Sequence, residues 1–307
     1  ARPSALSSGS NVWVQFFLDV CSVLPPLTLW SVSRYKGELV RNVVAALLIG
    51  ASVGALAWWT GDYSQWIAVG VGVYSIFSWT QALRHTDRPA YHLIWGSWSV
   101  PLGIIGFGGI AVMMYSAGFW AAPYAMRTFE ISAASAGALI GIPGAIASAI
   151  GVIAAGRLSD YWKKRDARGR IFTCMIGAIA PAPLILLMYT RNDLESYLLI
   201  SPLVYMFTAM FGGSAVAVYQ DLVLPRMYGT IGAIHLVGTT MVGLALGPYG
   251  TGKIATLTGS LQIGVFSMLL VAPIATAALW LMSRSAPRAE ATKFDRATAS
   301  GERSLDR

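Results

Sequence analysis

Asp19 is the one carboxylate set well inside an apolar run, residues 12–32. An ionised group at bilayer depth costs at least about 2.5–3.5 kcal/mol, so such an acid must face a cavity or a partner. Gln15, Asp19, Ser22 and Pro26 recur at i, i+4, i+7 and i+11, which is one face of a helix. The set suits a cavity-lining proton or cation site, or else a structural acid paired with a polar group on another helix. His235, with Thr239 one turn on, is a second titratable candidate, either a proton relay or a hydrogen-bonded packing residue. Ser201, Tyr205, Thr208, Gly212 and Tyr219 make a polar-aromatic stripe, and Tyr115, Phe119 and Trp120 lie close together in an earlier segment. Such groups either line a substrate cavity or pack against neighbours. Tyr205 and Thr208 are read as cavity residues because the segments around them carry so few other polar groups.

Other chemistry finds no support. There is no Walker motif, nucleophile elbow, His-Glu-x-x-His or CxxC, so neither an ATPase nor a membrane hydrolase is indicated. His85 and His92 have no acidic or cysteine partner at ligand spacing, so no metal site and no cofactor are expected. Cys21 and Cys174 both fall in apolar runs and are read as packing residues.

The elements that must position these residues are membrane spans. Only 12% of the 307 residues are charged and 55% are hydrophobic, with mean hydropathy +0.59. A soluble domain carries about 25% charged residues, so the chain is expected to be an all-α polytopic bundle. Nine stretches are long and apolar enough to cross a bilayer: 12–33, 42–60, 64–83, 101–126, 133–156, 171–190, 196–219, 229–252 and 262–282. Between two of them, residues 156–170 hold six basic residues. Alternate connections and the tail carry eighteen basic residues against three in the other set. By the positive-inside rule the basic loops and C-terminus are cytoplasmic and the N-terminus lies outside. The net charge of +8 is thereby assigned to orientation in the membrane, and no nucleic-acid partner is expected. Gly50-x-x-x-Gly54 and Gly243-x-x-x-Gly247 are small-residue faces that allow close helix approach, and Pro248 bends its helix.

With these features the sequence resembles the major facilitator superfamily, and within it the spinster-like branch. Gly156, Asp160, Lys164 and Arg165 match that family's Gly-x-x-x-Asp…basic loop, and Asp166, Arg168 and Gly169 resemble the spinster-type continuation. Tyr161 departs where an Arg is usual, and Lys163 where a Gly is usual. Trp120-x-x-Pro123-x-x-x-Arg127, Gln220–Arg226 and Gly238…Gly243…Gly247-Pro248 fall in the same register. The resemblance implies helices four to twelve of a twelve-helix transporter, with three further spans expected upstream of Ala1. It also implies a conformational role for Gly156, Asp160, Lys164, Arg165 and Arg168, with the helix start at Arg41 as partner of Asp160. Arg127 is placed at the outer mouth, meeting an anionic group or anchoring the helix at the interface.

Residues 1–83 are accordingly expected to be the remnant of an N-terminal half, 84–100 an interfacial linker, 101–282 a six-helix half and 283–307 a disordered cytoplasmic tail. The expected function is secondary transport, by alternating access, of a small organic solute or amphiphile, coupled to protons. The expected setting is a bacterial inner membrane. The alternatives are an intramembrane lipid-modifying enzyme, or a truncated remnant without turnover.

Overall fold

The computed structural model describes residues 37–302 together with Trp13, Leu27, Leu29 and Tyr35. Among the described residues, eight helices are long and apolar enough to cross a membrane. They are α1 (Glu38–Thr60), α2 (Tyr63–Thr86), α3 (Ser99–Thr128), α4 (Ala133–Lys163), α5 (Gly169–Tyr189), α6 (Leu194–Asp221), α7 (Pro225–Thr258) and α8 (Leu261–Ala291). Eight of the nine expected spans coincide with these helices; the first, 12–33, lies outside the described residues. The helices overrun the apolar stretches, α8 by nine residues at its C-terminal end, because backbone hydrogen bonding continues into the interface where hydropathy already falls.

The chain divides into two compact units, residues 1–92 with 295–307, and residues 93–294. In the first, α1 and α2 form a hairpin through Gly61 and Asp62. Gly61 has φ of 77° and donates to the Ala57 carbonyl at 2.8 Å, a left-handed cap that suits a residue without Cβ. Gly70 lets α2 close on α1, since a Cβ there would lie 2.6 Å from the Val53 side chain.

In the second unit α3 is the most enclosed helix, with Phe107, Ile110, Ala111, Met113, Ala117, Ala121 and Ala125 buried. It packs on α7 and α8, while α6 packs on α4 and α5. Side chains such as Leu199, Leu236, Leu257 and Leu270 stand exposed on the outside, as suits a lipid-facing surface. Among the described residues the starts of three spanning helices are capped by side chains: Ser132 accepts from Ser135 N–H at 3.1 Å, Asp193 from Ser196 N–H at 2.7 Å and Ser260 from Ile263 N–H at 3.4 Å. The bonds from Ser196 hold the Asp193 carboxyl below its ordinary range. Two helices carry a widened turn of π-helix, Gly137–Gly141 in α4 and Thr240–Leu244 in α7. The second ends four residues before Pro248, which cannot donate to the preceding turn.

One expectation is corrected, that of a disordered tail. Residues 283–299 are helical, running as the end of α8 and then Lys293–Ala299, and residues 303–307 lie outside the described set. Ser283, Ala286 and Ala289 are buried at helical spacing, which a polarity-based reading of the tail overlooks. Within the linker, Arg88–Trp95 is a short helix whose Ala90 N–H donates to Asp87 at 3.1 Å, with Ala90, Leu93 and Ile94 buried.

Candidate functional site

Of the aromatic sets in the interior of the second unit, two hold candidate residues, and they lie at different depths. Towards the end that carries the basic 164–168 turn, the His235 ring of α7 meets Phe107 of α3 at 5.8 Å and Tyr219 of α6 at 5.5 Å. Phe107 and Tyr219 are themselves edge-to-face at 5.2 Å. Tyr219 donates to the Val100 carbonyl at 3.4 Å, over Gly103, where a Cβ would lie 2.7 Å from its hydroxyl. His235 is buried, and among the described residues its Nδ1 has no hydrogen-bond partner. The Thr239 hydroxyl does not supply one, because it donates to the His235 carbonyl at 2.8 Å.

Nearer the opposite end, Tyr205 of α6 donates to the Gly118 carbonyl of α3 at 3.4 Å. Its ring lies against Gly144 of α4, where a Cβ would come within 2.8 Å. Trp120 donates from Nε1 to the Pro248 carbonyl at 3.0 Å and covers Gly252. Tyr115 is half-buried on the same helix as Trp120. Thr208 is turned back on its own helix, donating to the Val204 carbonyl at 2.8 Å, so its polarity is consumed locally. Tyr205 and Tyr219 are fourteen residues apart, about 21 Å along a helix. The stripe on α6 therefore serves two separate clusters.

The tight α3–α7 seam between these levels is made by missing side chains. A Cβ on Gly243 would run into Ala111, and one on Gly247 would lie 2.7 Å from the Val112 carbonyl oxygen. Ser116 and Thr251 share a hydrogen bond across the same seam at 2.5 Å. Gly50 and Gly54 behave differently, since no described residue comes within 4 Å of a Cβ at either position. Gly156 is equally open. Arg127 stands exposed in the last turn of α3.

At the basic end a chain of charges joins four segments. Arg170 donates to Asp160 at 3.0 Å and to Asp221 at 2.6 Å. Lys163 lies 3.1 Å from the other Asp221 oxygen and 2.5 Å from Glu290. Lys293 donates to the Asp221 main-chain carbonyl at 2.9 Å. Asp160 and Asp221 both sit in the closing turns of helices, where the dipole disfavours an anion, and the cations offset that cost. Of the residues assigned to the loop motif, Asp160 alone enters this chain. Lys164 and Arg168 are exposed, and Arg165 lies over the Tyr161 ring at 4.3 Å. Lys163, the position departing from the family pattern, is its centre. The cue for Lys163, Arg170, Asp221 and Glu290 was that charges at helix ends need counter-ions, but the sequence does not say which.

The first unit holds a polar network that the sequence reading missed. Asn42 donates to Ser78 and to Gln81, both at 2.8 Å, and accepts from Tyr74 at 2.6 Å. Gln81 donates to the Glu38 carboxylate at 2.5 Å and to its carbonyl at 2.8 Å. Glu38 also pairs with Arg41 at 3.0 Å and lies 3.2 Å from Nε2 of His85, whose ring stacks on Tyr35 at 4.1 Å. Arg41 is thus engaged one turn from its own position. Tyr74, Ser78, Gln81 and His85 fall at i, i+4, i+7 and i+11, a spacing that was visible in the sequence. Asp19 and Gln15 lie outside the described residues.

These groups offer hydrogen bonds, aromatic faces and charge pairs, which are the means of binding and of holding a conformation. Among the described residues no three His, Cys, Asp or Glu side chains gather as metal ligands would.

No family model matches the chain. An MFS-type efflux pump of Mycolicibacterium smegmatis is 26% identical to it over 187 residues, 59% of this chain and 43% of the pump. The chain therefore matches less than half the length of that curated relative. The crystal structure of a bacterial homologue of the human lysosomal transporter Spinster, inward-facing and occupied, superimposes with TM-score 0.55 at 16% identity. That match covers 89% of this chain and 73% of the homologue. The inward-facing unoccupied form gives the same TM-score over 72% of this chain and 58% of its own. Sequence relative and shared fold agree: the chain has eight helices able to cross a membrane, in an all-α bundle that shares the fold of a spinster-type transporter and is similar in sequence to a major-facilitator-type pump.

Proposed function

We propose that the chain works as a secondary transporter, carrying a small organic solute or amphiphile across a membrane by alternating access coupled to protons. The observation that carries this reading is the efflux-pump sequence relative on a spinster-type bundle. The buried His235, whose Nδ1 has no partner among the described residues, and the half-buried Tyr115, Trp120 and Tyr205 supply polar and aromatic groups for a solute. Asp19 is assigned the coupling proton. The basic ends of the helices face the cytoplasm in this reading, with Asp160 and Arg170 as parts of a contact that changes between states.

Proteoliposomes carrying the chain, with an imposed pH gradient, test it against a panel of radiolabelled amphiphiles. Transport predicts that at least one solute crosses unchanged, above empty liposomes, and that Asp19→Asn removes the pH dependence at equal protein content. Asp160→Asn should slow the flux with the fold intact. A chemically altered product would point to an intramembrane enzyme instead, and absence of flux for the whole panel would count against transport by this chain alone.

A further inference from the structure

We propose that the turn between α4 and α5 and the groove beside it hold one anionic phospholipid. Two hollows meet here and share Trp162 and Phe172. One, about 350 Å³, is lined by these two with Met175, Ile176, Ile179 and Ala180. The other, about 370 Å³, adds Arg165, Asp166 and Gly169 in place of the aliphatic residues. A single groove thus passes from a wholly apolar floor to a charged mouth. The same gradient runs along α5, where Arg168, Phe172, Met175 and Ile179 share one face at i, i+4, i+7 and i+11.

The charge at the mouth selects the headgroup. Lys164, Arg165 and Arg168 are exposed, and among the described residues none of them is ion-paired. Asp166 is the one carboxylate lining the mouth, and it already accepts the Arg168 N–H at 2.8 Å. Lys163 and Arg170 are committed to the internal charge chain. Arg165 lines the mouth itself, and across the 164–168 turn beside it three cations stand against the one carboxylate, at the ends of two spanning segments; together they attract an anionic headgroup whose acyl chain continues into the apolar hollow. A zwitterionic lipid would bring a further cation to the mouth, and a soluble anion would leave the apolar hollow unused. Gly169 keeps the groove in shape, because a Cβ there would run into the backbone of Trp162 and Lys163. The inference does not rest on the transport reading.

The test is native mass spectrometry of the full chain, delipidated in detergent and offered phosphatidylglycerol and phosphatidylcholine in equal amounts. The wild-type protein should retain phosphatidylglycerol preferentially. Arg165→Gln/Arg168→Gln should cut that preference by about fivefold per charge removed. Ile176→Trp, which fills the apolar hollow, should lower retention of both lipids, with Ala180→Leu as the milder variant if the first fails to fold. Arg284→Gln/Arg288→Gln, at another basic site, should leave the preference unchanged. Equal retention of the two lipids by the wild type would overturn the proposal. So would a preference that survives Arg165→Gln/Arg168→Gln, or one that falls equally in the Arg284→Gln/Arg288→Gln protein.

Discussion

Lys163 Nζ lies 2.5 Å from Glu290 Oε2 and ties the last turn of α4 to the end of α8, 127 residues further along the chain. The same ammonium meets Asp221 at the end of α6, so one cation holds three helix ends together.

Replacing that cation should therefore cost more than an ordinary surface pair. Lys163→Met leaves Glu290 without its partner and Asp221 with Arg170 alone, and both carboxylates are more than half buried. We expect a loss of about 1–2 kcal/mol, above the 0–1 typical of an exposed pair. Thermal unfolding in detergent should show a lowered midpoint, and deletion of 285–307 should lower it further. A Lys163→Met protein that melts with the wild type would mean the charge chain adds nothing to stability.

The α1–α2 hairpin depends on a buried amide. Asn42 is fully buried and serves Ser78, Gln81 and Tyr74 at once. Asn42→Leu keeps the volume but strands those three polar groups, at a cost of about 2–4 kcal/mol. Tyr74→Phe removes only one donor, and about 1 kcal/mol is expected. Chemical denaturation of the two variants should rank them in that order, and the reverse order would contradict the network.

Glycines of similar sequence context should respond in opposite ways. At Gly151 a Cβ would strike the Met206 carbonyl across the α4–α6 contact, so Gly151→Ala should reduce the yield of monodisperse protein. At Gly54 no described residue is within 4 Å, and Gly54→Ala should be neutral or stabilising by up to about 1 kcal/mol through helix propensity. Size-exclusion profiles and melting midpoints of the pair make the comparison.

Orientation has its own test. Single cysteines at Lys164 and Gly301 should react with an impermeant maleimide only from the cytoplasmic side, and those at Asp62 and Asn192 only from outside. Reversal would place the basic loops against the positive-inside rule and invert every assignment of sidedness.

What the sequence determined by itself was local. Apolar runs long enough to span a bilayer, interrupted by basic loops, specify helices one at a time, because each helix satisfies its own backbone. Hence the places of α1 to α8 along the chain were legible, as were the close approach at Gly243 and Gly247 and the resemblance carried by the 156–170 loop. What the tertiary structure decided was partnership. Helical periodicity puts Tyr74, Ser78, Gln81 and His85 on one face, but only the rotation of α1 against α2 brings them to Asn42 and Glu38. The tail looked disordered because its polarity was weighed without Lys163, whose charge meets Glu290, and without the packing that buries Ala286 and Ala289. His235 and Tyr205 were both candidate site residues, and the fold sets them in separate clusters because α6 carries Tyr219 and Tyr205 fourteen residues apart. Composition and period are properties of a segment, whereas a buried polar group is settled by whichever distant residue the packing places within hydrogen-bond reach.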